Sequence, residues 1–230
     1  MHELAAVARI RTPFPEKFGI PRQSGLVPQT LGTIVFEPPY RSPDALRGIE
    51  GFSHLWLIWG FDRARQDGWS ATVRPPRLGG NTRMGVFATR SPFRPNGLGL
   101  SCVTLKDVRL DTPDGPVLLV GGADLADGTP IYDIKPYVPY CDSHPDAAAG
   151  FTKEHADYEL EVDFPENLLS LIPPDQRQAL LGVLAQDPRP SYQSDPARVY
   201  GVAFGRHNVR FTVDEGVLRV VGVEAYRKNG

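Results

Sequence analysis

Acidic residues are missing from one long stretch of this chain. Between Gly68 and Lys106 there is no aspartate or glutamate, while Arg74, Arg77, Arg83, Arg90, Arg94 and Lys106 all fall inside it, against a net charge of only −2. Cysteine is scarce as well: Cys102 and Cys141 are too far apart for a CxxC pair, which argues against a disulfide framework or a cysteine-built metal site. No run of about twenty apolar residues occurs, so a membrane-spanning helix is not expected, and Met1-His2-Glu3-Leu4 lacks the basic start and apolar core of a secretory leader. A soluble, cytoplasmic protein is the expectation. There is no Walker loop, HExxH helix, GxSxG elbow or zinc-ligand spacing, and the five histidines form no close ligand pair, so no metal is expected. Gly97-Leu98-Gly99-Leu100-Ser101 has part of a dinucleotide-loop pattern but no third glycine, and it opens a strand-like run instead of a helix.

What the chain has in excess is punctuation. Its 23 glycines and 23 prolines, without repeats or low-complexity tracts, imply many turns and hence a β-rich architecture, while 41% hydrophobic and 23% charged residues are ordinary globular values. Short strands are expected at 7–11 and 31–36, separated by a proline-punctuated loop over 12–25. Ser42-Pro43 to Gly48 reads as a one- to two-turn helix capped by Ser42. Phe52 to Asp62 carries large apolar side chains on both parities, as a strand covered on both faces does in a closed barrel or a buried sheet. His54 in that company reads as a core histidine, whereas Asp62 and Arg63 emerge where something can be touched. Strands follow at 98–110 and 117–120, joined by a Pro-Asp-Gly turn. After the Asp127-Gly128 turn, alternation predicts Ile131, Asp133 and Lys135 on one face and Tyr132 and Ile134 on the other. Asp124 and Asp127 can be read as a carboxylate pair or as turn formers.

The acid-free stretch is the functional signal. Guanidinium groups bind phosphate or carboxylate bidentately and stack on flat rings, so arginines interleaved with Trp69, Phe87 and Phe93 suit a nucleotide or an RNA backbone; the alternative is a solvated basic face. Pro92, Pro95, Gly97 and Gly99 favour the first reading, because they stiffen the loop and let backbone approach a ligand, which puts Arg90 and Arg94 on a fixed platform.

Small polar residues over 141–150 mark a domain boundary, dividing the chain into residues 1–145 and 151–230. The second unit is expected to hold a strand at 158–164 and a helix from Pro173 to about Gln186 with Ala179, Leu180, Val183 and Leu184 as its core stripe. Three more strands follow at 200–204, 209–213 and 217–223, making a small α+β domain near the lower size limit for independent stability. Between its helix and sheet lies the rigid loop Asp187-Pro188-Arg189-Pro190-Ser191-Tyr192.

Several strings together resemble the TrmO (TsaA-like, YaeB-like) family of S-adenosylmethionine-dependent tRNA methyltransferases. They are Lys17-Phe18-Gly19-Ile20-Pro21-Arg22-Gln23, Gly51-Phe52-Ser53-His54-Leu55-Trp56, residues 73–81, Arg83 through Asn96, Asp127-Gly128-Thr129-Pro130, Asp133-Ile134-Lys135-Pro136-Tyr137, residues 183–192 and His207-Asn208-Val209-Arg210. One departure is Pro95-Asn96-Gly97-Leu98-Gly99, where relatives often carry Pro-Asn-Pro-Ile-Gly.

The resemblance implies a mainly β protein, with a single-sheet β-barrel N-terminal domain, a small α+β C-terminal domain and a homodimeric state. It also implies methylation of N6 of threonylcarbamoylated adenosine just 3′ of the tRNA anticodon. By matching position, Pro21, Arg22, Gln23, Asp62, Arg63, Arg90, Leu100, Thr129, Pro130, Ile131 and Tyr132 would line the S-adenosylmethionine pocket. The Asp187-Pro188-Arg189 element with Tyr192 would engage tRNA. Charge placement adds Arg77, Arg94, Lys135, Arg189 and Arg206 as phosphate contacts, with Phe93 or Tyr192 stacking on splayed bases of the anticodon loop. A base must take the N6 proton, and Tyr132, Asp133 and His54 are the candidates. The rival class is a non-catalytic RNA-binding or S-adenosylmethionine-sensing barrel.

Overall fold

The computed structural model describes residues 4–63, 69–75, 82–155, 158–189 and 195–227. Six strands close into an antiparallel barrel: β1 (Ala8–Arg11), β2 (Leu31–Phe36), β3 (His54–Gly60), β6 (Leu98–Arg109), β7 (Val117–Gly121) and β8 (Pro130–Pro136). Their order around the barrel is β1-β2-β7-β6-β3-β8. Closure explains the two-sided apolar character of β3. Leu55, Leu57 and Trp59 point into the barrel, while the opposite parity is half covered from outside. The minor strands β4 (Thr72–Val73) and β5 (Met84–Gly85) pair only with each other.

Short helical pieces and one longer helix follow or flank the strands. Pro43–Leu46 is a single 3-10 turn, and Ser42 makes no side-chain cap bond to it; the expected capped helix is thus shorter and tighter than its composition suggested. Beyond the barrel come α1 (Pro139–Asp142), α2 (Glu166–Leu169) and α3 (Pro174–Ala185). A four-stranded sheet completes the chain: β10 (Tyr200–Phe204), β11 (His207–Asp214), β12 (Val217–Ala225) and the short β9 (Glu161–Asp163), which runs parallel to β12. The stripe Ala179, Leu180, Val183 and Leu184 is buried against it, as the helical spacing requires. No helix among the described residues is long and apolar enough to cross a membrane.

The alternation read for 131–135 fails in an instructive way. Asp133 pairs with Ile58 and Ile131 with Trp59, which leaves Tyr132 as the extra residue of a β-bulge. One inserted residue reverses the parity of everything beyond it. Accordingly Ile131 and Ile134 both pack on the barrel core, and they do not face opposite ways.

The loop over 12–28 has a second role that its polarity concealed. Phe14 and Val27 are buried in the core of the C-terminal sheet and helix, with Phe18, Ile20 and Leu26 packed against them. The Phe14 and Phe204 rings meet edge to face, 5.7 Å between centroids. Gly19 adopts φ +90, and a Cβ there would lie 2.0 Å from Val202 Cγ2, so only glycine permits this approach.

Candidate functional site

The loop after Ala88 is shaped by its own side chains. A 3-10 turn over Val86–Ala88 leads into Thr89 and Ser91, whose hydroxyls accept from the amides of Ser91 and Phe93. Arg94 folds back onto this turn, with Nη1 donating to the carbonyls of Thr89 (2.7 Å) and Val86 (3.3 Å) and the guanidinium 5.9 Å from the Phe87 ring centre. Arg94 therefore braces the platform. Arg90 points the other way, and its Nη1 donates to Gln23 Oε1 of the 12–28 loop.

Around that contact three remote segments converge. Ser24 Oγ accepts from the Cys102 amide (3.1 Å), and Gly25 N donates to the Gly122 carbonyl (2.9 Å). Ser101 Oγ donates to Asp124 Oδ1 at 2.6 Å while accepting from Trp59 Nε1 at 2.9 Å. Burial pushes the Asp124 carboxyl above its ordinary range, against the pull of the Ser101 hydroxyl, its own amide, the Arg90 charge and the Ser24 amide. At the strand ends Phe61 N donates to the Gly97 carbonyl (2.8 Å), and the Tyr132 ring lies on Gly60, where a Cβ would fall 2.7 Å from the hydroxyl oxygen.

The eleven residues expected at a methyl-donor pocket divide by what their side chains already do. Arg90 and Gln23 are joined, Leu100 is exposed on β6, and the Tyr132 ring lies on Gly60 of β3. Arg63 donates to the carbonyls of Pro15 and Asp127, tying the 12–28 loop to the turn before β8, with Asp62 exposed beside it. Pro21, Thr129, Pro130 and Ile131 are buried, so their contribution to any ligand is backbone and shape. Arg22 sends Nη2 to the carbonyls of Asp187 (3.2 Å) and Arg189 (3.4 Å), away from Arg90's partner.

The residues expected at tRNA are dispersed. Lys135 is paired with Asp133 at 2.9 Å on the barrel wall, and Arg206 is exposed on the turn between β10 and β11. Asp187, at φ 50, is gripped by Arg189 through both Nε and Nη2 (2.9 Å each) and by the Tyr158 hydroxyl (3.1 Å). The Arg189 side chain is 13% exposed, so its fork serves this turn. Desolvation raises the Asp187 carboxyl, but the Arg189 pairing, the Tyr158 hydroxyl and the Arg189 amide together outweigh it and hold the group below the usual carboxylate range. Arg77 and Tyr192 lie outside the described residues.

Of the proton-acceptor candidates, Tyr132 lies on Gly60 at the end of β3 and Asp133 sits one residue beyond it in its ion pair with Lys135. His54 lies at the opposite end of β3, about 20 Å from Gly60 at strand rise, with its ring nitrogens near Ser53 Oγ and Thr104 Oγ1. No cluster of three or more metal-ligating side chains occurs among the described residues. Asp124, Ser101 and Trp59 were missed as a unit. The available signal was Ser101's parity with inward-facing Val103, a hydroxyl placed on a core register.

The donor set fits a zwitterionic nucleoside-like ligand: a guanidinium for a carboxylate, an amide beside it, and exposed apolar surface at Leu100 for a flat ring. A mainly β barrel carrying this set, joined to a small α+β unit, defines a class that comparison makes specific. The tRNA-methyltransferase O N-terminal domain family matches residues 9–143, and the TrmO C-terminal domain family matches residues 157–226. The chain belongs to the TrmO family. It is 45% identical over 223 residues, 94% of each chain, to the tRNA (adenine(37)-N6)-methyltransferase of Escherichia coli strain K12. It is also 42% identical over 216 residues, covering 87% of this chain and 88% of the relative, to a Pseudomonas aeruginosa protein named as a candidate S-adenosylmethionine-dependent methyltransferase. A crystal structure of TrmO from Pseudomonas aeruginosa superimposes with a TM-score of 0.78 at 36% identity, covering 98% of this chain and all of that one.

Proposed function

We propose that this chain is a tRNA methyltransferase that moves a methyl group from S-adenosylmethionine to N6 of threonylcarbamoyladenosine at position 37, beside the anticodon. The observation that carries the reading is the Arg90–Gln23 contact, which brings the arginine platform onto the 12–28 loop next to half-buried Asp124. Arg90 and Gln23 hold the carboxylate end of the methyl donor, Leu100 and the backbone of Thr129 to Ile131 flank it, and Tyr132 closes the edge. When bound, S-adenosylmethionine supplies an electrophilic methyl on a sulfonium.

N6 in this substrate lies between a purine and a carbonyl, so its proton is acidic and its lone pair is poor. The protein must fix the base in line and provide an acceptor for that proton, directly or through water. Tyr132 is the acceptor candidate inside the convergent region, because Asp133 is engaged by Lys135 and His54 stands at the other strand end. Residues 1–145 form the methyl-donor unit in this reading, and residues 151–230 engage tRNA through the Asp187-Pro188-Arg189 turn, Tyr192 and Arg206, with Arg77, Arg94 and Lys135 contacting phosphates.

The methyl-donor surface is open on a single chain, with Leu100 54% and Phe87 73% exposed. A second copy covering that surface completes the site, so the active form is a homodimer, working in the cytoplasm where tRNA is processed. Labelled S-adenosylmethionine is to be incubated with tRNA prepared with and without the threonylcarbamoyl group. Label appearing only in the modified tRNA supports the reading; binding of tRNA or methyl donor without transfer supports the non-catalytic alternative.

A further inference from the structure

We propose that Asp124 is a positioning residue of the methyl-donor site, whose carboxylate binds together the three segments that carry the ligand-facing side chains. The inference rests on the methyl-donor reading above, and it concerns a residue with no role in it so far.

Asp124 belongs to the turn-rich link between β7 and β8, yet its principal partner is remote. Ser101 Oγ donates to it at 2.6 Å from β6, one residue past Leu100. That hydroxyl is oriented in turn by Trp59 Nε1 at 2.9 Å, and the Trp59 ring fills the space over Gly99, where a Cβ would lie 2.3 Å from it. From the 12–28 loop the Ser24 amide favours the ionised carboxylate, and from the platform the charge of Arg90 does the same. Ser24 follows Gln23, the acceptor of Arg90. Each segment that acts on Asp124, by the Ser101 hydrogen bond, the Ser24 amide or the Arg90 charge, therefore presents an expected ligand contact: Leu100 beside Ser101, Gln23 beside Ser24, and Arg90 itself.

A turn former bonds its own neighbouring backbone, as the Asp195 carboxylate does by accepting from the Ala197 amide two residues on, at 3.0 Å. Asp124 instead ties parts of the chain that only the fold brings together. Burying a carboxylate is costly, and a neutral isostere would fill the same space more cheaply, so the charge is retained for what it orients. With the charge present, Arg90 is favoured in its place on Gln23; with asparagine, the shape and the Ser101 bond persist but that favouring charge is gone.

The test compares the parent with Asp124→Asn and Ser101→Ala in steady-state methyl transfer to threonylcarbamoylated tRNA, with melting temperatures recorded alongside. For Asp124→Asn the expected result is a methyl-donor KM raised on the order of tenfold, at the low end of what losing an outer supporting partner costs a bound ligand, with kcat and tRNA KM within about twofold. Its melting temperature at neutral pH stays at or above the parent's. Ser101→Ala keeps the charge but frees it, and gives a smaller methyl-donor KM increase of the same kind; it decides the matter if Asp124→Asn fails to fold. An unchanged methyl-donor KM in both variants, or equal rises in both KM values with a lower melting temperature, reduces Asp124 to fold support and overturns the proposal. A parent enzyme that transfers no methyl overturns the methyl-donor reading itself, and this proposal with it.

Discussion

The Arg22 guanidinium donates to the backbone carbonyls of Asp187 and Arg189, 165 and 167 residues further along, at 3.2 and 3.4 Å. Its neighbour Gln23 accepts from Arg90 of the platform. Adjacent residues of one loop therefore hold the two regions assigned to methyl donor and tRNA. Arg22→Ala is expected to raise KM for both substrates, whereas Arg90→Ala raises it mainly for the methyl donor. Losing the Arg22 bonds, which are charge-assisted and part-buried, costs stability of about 1–2 kcal/mol. Steady-state kinetics with each substrate varied in turn, together with urea unfolding, check this; a purely single-substrate effect of Arg22→Ala contradicts the coupling.

The Asp187–Arg189 pair is nearly buried, at 10% and 13% side-chain exposure. Asp187→Ala strands a guanidinium and the Tyr158 hydroxyl, and is expected to destabilise by about 2–4 kcal/mol, close to the usual cost of breaking a buried pair. Denaturant unfolding measures it. Tyr158→Phe removes one bond of the same cluster and costs about 1 kcal/mol.

Two carboxylates give opposite acid responses. Asp187 is depressed in the folded state, so its stabilisation is present above the unfolded carboxylate pKa and is lost as pH falls through its lower folded value. Burial raises the Asp124 carboxyl despite the Arg90 charge, so folding is favoured by its protonation, and that gain disappears as pH rises through its folded value. Asp124→Asn should thus gain on the parent at neutral pH and converge with it below about pH 4, the ordinary carboxylate value. Asp187→Asn should lose most at neutral pH and converge only in stronger acid. Melting temperatures across pH 3 to 8 give both curves.

Gly60→Ala places a methyl 2.7 Å from the Tyr132 hydroxyl and 2.8 Å from its ring. The ring must move, and methyl transfer is expected to fall by about tenfold or more, as small misplacements at a reacting centre do. Circular dichroism and turnover together check that activity, not folding, is what changes.

Phe14→Ala is expected to cost about 3–5 kcal/mol, as for other buried aromatics, although Phe14 precedes the barrel's second strand. Hydrogen exchange should show residues 18–24 losing protection before the barrel does. Equal loss in both regions contradicts the assignment of this loop to the C-terminal core.

Much of the molecule was readable in its residues. Two-sided apolar character announced β3 as a strand covered on both faces, the 3.6-residue stripe of Ala179, Leu180, Val183 and Leu184 announced α3, and Pro-Asp-Gly announced the turn between β6 and β7. The acid-free arginine stretch marked the platform, and its family strings named the class. These signals are local: each depends on spacing within one or two elements.

What tertiary structure alone decided is everything that needs two distant segments at once. The single-residue bulge at Tyr132 arises from matching β8 to β3, and it turns Ile134 inward against its own alternation. Phe14 and Val27 look like loop residues until the C-terminal sheet arrives to cover them. Arg189 reads as a free cation, and Asp124 as a turn former, because neither the Asp187 geometry at φ 50 nor the Ser101 register across 23 residues is written in their neighbours. Burial and charge pairing are properties of closure, and closure brings together residues whose order along the chain carries no trace of the meeting.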